Sequence, residues 1–289
     1  MLTQNLQQSF PQPFLKWAGG KSRLIQQYLP YFPNNFATYY EPFLGGGAIF
    51  FYFYRYQSFR LLPTDGAQPT AFITDINPEL INAYRCVKND VVQLIPLLEE
   101  HQLRHNKDYY YEVRSRSFLG TPLERAARLI YLNKTCFNGL YRENSKGEFN
   151  VPIGKYKNPK ICHSDLLFSV SDALQSAQIE VRAFDAVLDY AKTAQDFVYF
   201  DPPYYPLSPT SNFTAYSSYS FNEKDQIMLK NTFTKLAQRG VKVMLSNSDC
   251  PFIREQYSEF NIHEISASRA INSNAKKRGK ITEVLVTSY

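Results

Sequence analysis

Cysteine is scarce in this chain of 289 residues, which holds only Cys86, Cys136, Cys162 and Cys250. None are close neighbours and no Cys-x-x-Cys occurs, so a zinc ribbon or dithiol redox motif has no support. Four cysteines in so long a chain also argue against a disulfide framework, and a reducing, cytoplasmic setting is expected. No apolar run approaches the ~20 residues that span a bilayer. Residues 1–13 are polar and glutamine-rich, without the charged-then-apolar pattern of a signal peptide. A metal site also lacks ligands: His101 and His105 stand one helical turn apart with no third ligand nearby, and a solvated helix face is expected there. Acidic residues are outnumbered, 26 against 32 basic, for a net charge of +6. That is compatible with a polyanionic partner without requiring one. There is no internal repeat.

Aromatic residues, by contrast, are plentiful, with 22 Tyr and 22 Phe against the single Trp17. The length suits one large α/β domain, or one domain carrying an insertion. The organising stretch is Phe197-Val198-Tyr199-Phe200-Asp201-Pro202-Pro203-Tyr204-Tyr205. Four apolar residues read as a buried strand, and two prolines end it because neither donates to a sheet ladder. Open α/β sheets bind ligands at the carboxyl ends of their strands. Asp201, the prolyl carbonyls and the Tyr204 ring are suited to hold a planar, amine-bearing ring. An ordinary strand followed by a proline turn is the plainer alternative.

Earlier in the chain, Gly19-Gly20-Lys21-Ser22 invites a phosphate-loop reading. It fails, because Leu15 stands where that loop needs glycine. A helix is expected through Leu24, Ile25, Tyr28 and Leu29. Thr38 to Phe43 reads as a strand, broken by Gly45-Gly46-Gly47 before a helix through Ile49, Phe50, Phe53 and Tyr54. Strand, glycine turn and helix form the first unit of a nucleotide-binding sheet, the glycines admitting close backbone approach. The pattern is not Gly-x-Gly-x-x-Gly, and a plain tight turn remains the alternative. Ala71 to Thr74 is the next strand, tipped by Asp75, which is placed to accept hydrogen bonds from ribose hydroxyls or to cap the helix that follows.

From Val91 to Arg128 the pattern is helical and charged, with Arg125 and Arg128 expected on the surface. Residues 133–160 are loop-rich and interleave Lys134, Arg142, Lys146, Lys155, Lys157 and Lys160 with Phe137, Tyr141, Phe149 and Tyr156. Such alternation suits phosphate neutralisation and base contact, or simply a basic surface hairpin. Strands are expected again at 179–182 and 241–248, with an antiparallel pair at 262–265 and 283–287. Between them lies a helix through Ile227, Leu229, Phe233 and Leu236.

Together these blocks resemble the Dam-type DNA adenine-N6 methyltransferases (D12 class, alpha arrangement). The likeness runs from Phe14 to Tyr289 and rests on blocks at 14–21, 41–48, 75–77, 137–142, 147–152 and 201–204, in that order. The resemblance implies an α/β fold: a Rossmann-like, S-adenosylmethionine-dependent methyltransferase sheet. Residues 1–75 and 161–289 would form the catalytic domain, and 76–160 an inserted, mostly helical target-recognition domain. It places Trp17, Lys21, Asp75 and Asp201 at cofactor positions, with Glu41, Gly45 and Gly47 shaping the methionine and sugar pocket. Phe184 and Asp185 would border the cofactor's adenine. Lys16, Leu140, Arg142 and Pro152 match positions that contact bases in relatives reading GATC. Phe137 keeps the ring, but not the hydroxyl, of a wedge tyrosine. Asp201, Pro202 and Tyr204 would be catalytic, acting on an adenine flipped out of duplex DNA. No membrane association and no obligatory protein partner are expected. Two rival readings are a cytosine-N4 methyltransferase, which usually carries serine at the position of Asp201, and a DNA-binding protein that has lost catalysis.

Overall fold

The computed structural model describes residues 9–56, 70–116, 120–144, 146–207, 221–268 and 280–289. Residues 59–69 and 208–220 and the basic Lys276, Lys277 and Arg278 lie outside that set. In chain order the regular elements begin with α1 (Ile25–Tyr28), β1 (Thr38–Glu41), α2 (Ala48–Arg55), β2 (Ala71–Asp75) and α3 (Pro78–Arg104). Next come α4 (Lys107–Ser115), α5 (Pro122–Thr135), α6 (Ser164–Leu174), β3 (Ala177–Val181) and β4 (Asp196–Phe200). The last are α7 (Glu223–Gln238), β5 (Lys242–Ser248), α8 (Pro251–Gln256), β6 (Asn261–Ser268) and β7 (Lys280–Thr287). No helix among the described residues is long and apolar enough to cross a membrane. The chain divides into two compact units, one of residues 1–20, 45–70 and 77–181, the other of 21–44, 71–76 and 182–289.

The first unit is mainly helical. Asn77 starts α3 by accepting the Glu79 and Leu80 backbone N–H groups, and Pro78 follows at the first helical position. Leu80, Ile81, Tyr84, Val87, Val91, Leu94 and Leu98 then recur at helical spacing and are buried. Asp90 leaves helical geometry and marks a kink. Helix α5 opens with a capping box between Thr121 and Glu124 and packs on α3, as does α6, which the sequence reading did not anticipate. Two expectations are corrected here. His101 and His105 are not a solvated face: their Nδ1 atoms meet the hydroxyls of Tyr109 (2.8 Å) and Tyr131 (2.9 Å), and His101 stacks on Tyr131. Nor are Arg125 and Arg128 free surface charges. Arg125 pairs with Glu79, and Arg128 donates to the Val113 and Arg114 carbonyls at 2.9 Å each.

The second unit is a mixed α/β layer with its strands in the order β2-β1-β4-β5-β7-β6. Pairs β2–β1, β1–β4 and β4–β5 are parallel, whereas β7 lies antiparallel to both β5 and β6. Every residue of β4 is buried, as its unbroken apolar run requires of a central strand. Val198 and Phe200 join Leu229, Phe233 and Leu236 of α7 in one core, while Phe197 and Tyr199 turn toward Tyr39 and Tyr28. The helix expected through Leu24 to Leu29 is a correction. Short 3-10 turns at Lys21–Arg23 and Leu29–Tyr31 flank a four-residue α1, because Pro30 has no N–H with which to extend it.

Candidate active site and nucleic-acid interface

Parallel pairing puts the carboxyl ends of β2, β1 and β4 along one edge of the second unit. Each end carries an acid: Asp75, Glu41 and, one residue beyond β4, Asp201. Glu41 is buried and accepts the Tyr39 hydroxyl at 2.9 Å. Asp75 tips β2, and its backbone carbonyl takes the Arg182 N–H. The helix-cap alternative for Asp75 fails, since Asn77 fills that role. Asp185 sits in the 3-10 helix Phe184–Asp189, where the Phe184 ring stacks on Phe43.

Asp201 is held through one of its oxygens. Its Oδ1 meets the Lys21 ammonium at 2.7 Å and accepts the Ser246 hydroxyl at 2.9 Å. Ser246 in turn bonds the Tyr199 hydroxyl at 3.0 Å. Among the described residues nothing donates to Asp201 Oδ2 or to the Pro202 carbonyl. The paired prolines leave the turn after β4 without ladder bonds, so side chains secure it instead. Asn247 Oδ1 accepts the Tyr205 N–H, Ser248 donates to the Tyr205 carbonyl, and Gln226 donates to the Pro203 carbonyl. Asn247 also donates to Gln226 at 3.0 Å, so β5 and α7 clamp the turn together. Sequence reading missed Gln226, Ser246 and Asn247 as parts of this site. The Tyr204 ring lies under Lys21 Nζ, 4.8 Å from its centroid, within cation–π range.

In the first unit the glycine turn packs on Trp17. Gly45 (φ 48°) and Gly47 (φ 67°) both take the left-handed conformation that favours glycine. A Cβ on Gly45 would stand 2.8 Å from Trp17 Cδ1, closer than carbon atoms approach. Trp17 also stacks on Tyr141, ring centroids 5.5 Å apart, so the glycine turn and residue 141 share one aromatic contact.

Residues 136–144 and 146–153 form an antiparallel ribbon with bridges at Cys136–Ile153 and Glu143–Phe149. Asn133, buried at the end of α5, staples the ribbon to the chain before Trp17. Its Oδ1 accepts the Lys16 N–H, and its Nδ2 donates to the carbonyls of Lys16 and Gly139. Gly139 (φ 64°) is required there, because a Cβ would come within 2.3 Å of Lys16 Cβ. Phe137 is 46 % exposed, and its N–H donates to the Pro152 carbonyl at 2.8 Å. Lys16, Phe137, Leu140 and Pro152 thus share one neighbourhood. Arg142 is exposed on the same ribbon, its Nε fixed on Asn150 Oδ1 at 2.6 Å. Lys16 Nζ rests over the Tyr156 ring, 3.8 Å from its centroid.

Burial and the nearby Lys16 charge pull Lys134 down to about 8. Burial lowers His101 to about 4, with the Glu100 charge opposing that shift. Among the described residues no cluster of His, Cys, Asp and Glu could hold a metal ion.

The model of a family described as D12 class N6 adenine-specific DNA methyltransferase matches residues 17–271. A type II methyltransferase of Lactococcus lactis subsp. cremoris is 45% identical over 284 residues, covering 96% of this chain and 95% of its own. One from Methanocaldococcus jannaschii is 43% identical, over 96% of this chain and 99% of its own. The DNA adenine methylase of Escherichia coli (strain K12) is 34% identical, over 94% and 93%.

Proposed function

The chain belongs to the D12 class N6 adenine-specific DNA methyltransferases, and on that footing we propose that it methylates adenine within GATC in duplex DNA. Enzymes of this class use S-adenosylmethionine, and the acids at one strand edge suit that cofactor. Carboxylates accept from a ribose diol and favour a cationic sulfonium. We assign cofactor binding in the second unit to Lys21, Glu41, Asp75, Asp185 and Asp201. Trp17, Gly45 and Gly47 have the same assignment from the first unit. Residues 76–160 are assigned to target recognition, and 1–75 with 161–289 to cofactor binding and catalysis.

The observation that carries the chemistry is the asymmetry of Asp201. Lys21 and Ser246 occupy Oδ1, which fixes the carboxylate in place and leaves Oδ2 and the Pro202 carbonyl as paired acceptors. Two acceptors at that turn match the two N–H bonds of an exocyclic amine. Hydrogen bonds from the N6 amine to both draw its nitrogen from planarity and make its lone pair available. Those bonds strengthen as positive charge grows on N6, so they favour the transition state over the bound base. The Tyr204 ring stacks on the adenine, one of its faces already covered by the Lys21 ammonium. The cofactor supplies the electrophilic methyl group. An adenine inside a duplex cannot reach this turn, so the base must leave the stack. Phe137, exposed on the ribbon, is the side chain assigned to enter the gap.

The sequence preference rests on Lys16, Leu140, Arg142 and Pro152. Arg142 engages Asn150 through Nε and Nη2, and the rest of its fork suits guanine O6 and N7. The deciding experiment is transfer of labelled methyl from S-adenosylmethionine to plasmid DNA, with the modified positions mapped. N6-methyladenine confined to GATC is expected. N6-methyladenine in another motif would overturn the recognition assignment alone, and N4-methylcytosine the chemistry.

A further inference from the structure

Tyr204 is held at two points, and only one belongs to the machinery described so far. Its hydroxyl donates to Oε2 of Glu283 on β7 at 2.8 Å. Glu283 stands opposite Ser248 in the β5–β7 pairing, so it shares an edge with the residues that clamp the Asp201 turn. β7 is antiparallel to β5, and this brings the start of β7 to the carboxyl end of β5, where the turn lies. Burial raises the Glu283 carboxyl above its ordinary value, opposed by the Lys21 charge and the Tyr204 hydroxyl. A half-buried carboxylate is costly unless it is hydrogen-bonded, and here its described bond goes to one tyrosine.

A phenol ring joined only through Cβ can swing about two torsions. Fixing its far end as well removes that freedom. Resting on the proposed adenine chemistry, we infer that Glu283 is a positioning residue: by gripping the Tyr204 hydroxyl it fixes the plane on which the flipped base stacks beside Asp201. Lys21 bears on one face of the ring and Glu283 on its tip, so the remaining face is presented in one orientation. A base stacked at a set angle meets Oδ2 and the Pro202 carbonyl in register. Reacting groups held in near-attack geometry need no further ordering before reaction.

The test is a double-mutant cycle on the full chain, with Tyr204→Phe, Glu283→Ala and the double variant. It is read by single-turnover transfer of labelled methyl to plasmid DNA and by calorimetric affinity for S-adenosylmethionine. Each single variant should slow transfer about tenfold, the scale of one hydrogen bond to a charged group, with cofactor affinity unchanged. The double variant should be no slower than either single one, because both remove the same bond. Glu283→Gln offers an amide oxygen to the same hydroxyl and should recover the rate to within roughly threefold of wild type. Multiplying losses in the double variant, or a Glu283→Gln as slow as Glu283→Ala, would overturn the inference. Should Glu283→Ala not fold, Tyr204→Phe and Glu283→Gln decide alone, and failure of either stated outcome rejects the assignment. Wild-type protein that transfers no methyl to adenine would instead overturn the proposed function on which this rests.

Discussion

Substituting Asp201 tests stability and chemistry at once. The Lys21 side chain is only 5 % exposed and its Asp201 partner 19 %, at a separation of 2.7 Å. Removing one member of a buried pair leaves the other charge desolvated without compensation, at a cost of about 3–5 kcal/mol. Asp201 keeps some contact with solvent, so Asp201→Ala belongs near the low end, about 3 kcal/mol. The same change removes the acceptor that strengthens as charge develops on the target amine. Losses of about 10²–10³ in turnover attend removal of one preorganised electrostatic group. Asp201→Asn separates the two effects. Its amide oxygen can still take the Ser246 hydroxyl, and pairing it with Lys21→Met removes the stranded ammonium. The double variant should therefore melt closer to wild type than Asp201→Ala does, while its turnover stays at least as low as that of Asp201→Asn. Thermal melting and labelled methyl transfer at saturating S-adenosylmethionine read the two quantities. Near-normal turnover by a folded Asp201→Asn protein would refute the acceptor role. An unchanged melting temperature for Asp201→Ala would refute the buried pair.

Asp75→Ala should weaken S-adenosylmethionine binding by ~1–3 kcal/mol, the range for a lost charge-assisted hydrogen bond, and calorimetry showing unchanged affinity would reject the ribose assignment. Arg142→Ala should cost about 1–3 kcal/mol of discrimination at one base position; an equal loss on every sequence would make Arg142 a phosphate contact. Lys146→Ala should instead weaken DNA binding uniformly and flatten its salt dependence. Burial holds His101 at about 4 against an ordinary 6.5, so the unfolded chain takes up a proton that the folded chain resists. Stability should fall as pH drops from 6.5 toward 4, by at most about 1.4 kcal/mol per pH unit from this group. Denaturation of His101→Phe at several pH values should show a shallower slope than wild type.

What the sequence made legible was local. The apolar run ending in two prolines located β4 and its turn, because strand burial and the missing proline N–H act within a few residues. Asp75 and the glycine turn were found in the same way, each at the end of a short strand. The partners of these residues were not legible. Lys21, in a 3-10 turn before β1, reaches Asp201 after β4, and Glu283 reaches Tyr204 through the pairing of β7 with β5, contacts between residues far apart in the chain. Arg128 looked like surface charge for the same reason, since the carbonyls of Val113 and Arg114 that take its guanidinium belong to another helix.

One miss had a readable signal. The face of α7 was drawn through Ile227, Leu229, Phe233 and Leu236, yet Ile227 is 40 % exposed and Gln226 is 3 % exposed. Positions 226, 229, 233 and 236 keep the three- and four-residue spacing of one helical stripe, and 227 lies about 100° off it. A glutamine on an otherwise apolar stripe must find hydrogen-bond partners inside the protein. Backbone freed from a sheet ladder, or another buried amide, can supply them. The turn after β4 has such backbone because its prolines end the ladder, and Gln226 is found there, bonded to the Pro203 carbonyl and to Asn247. Read this way, the polar residue on the buried face and the double proline are two halves of one site.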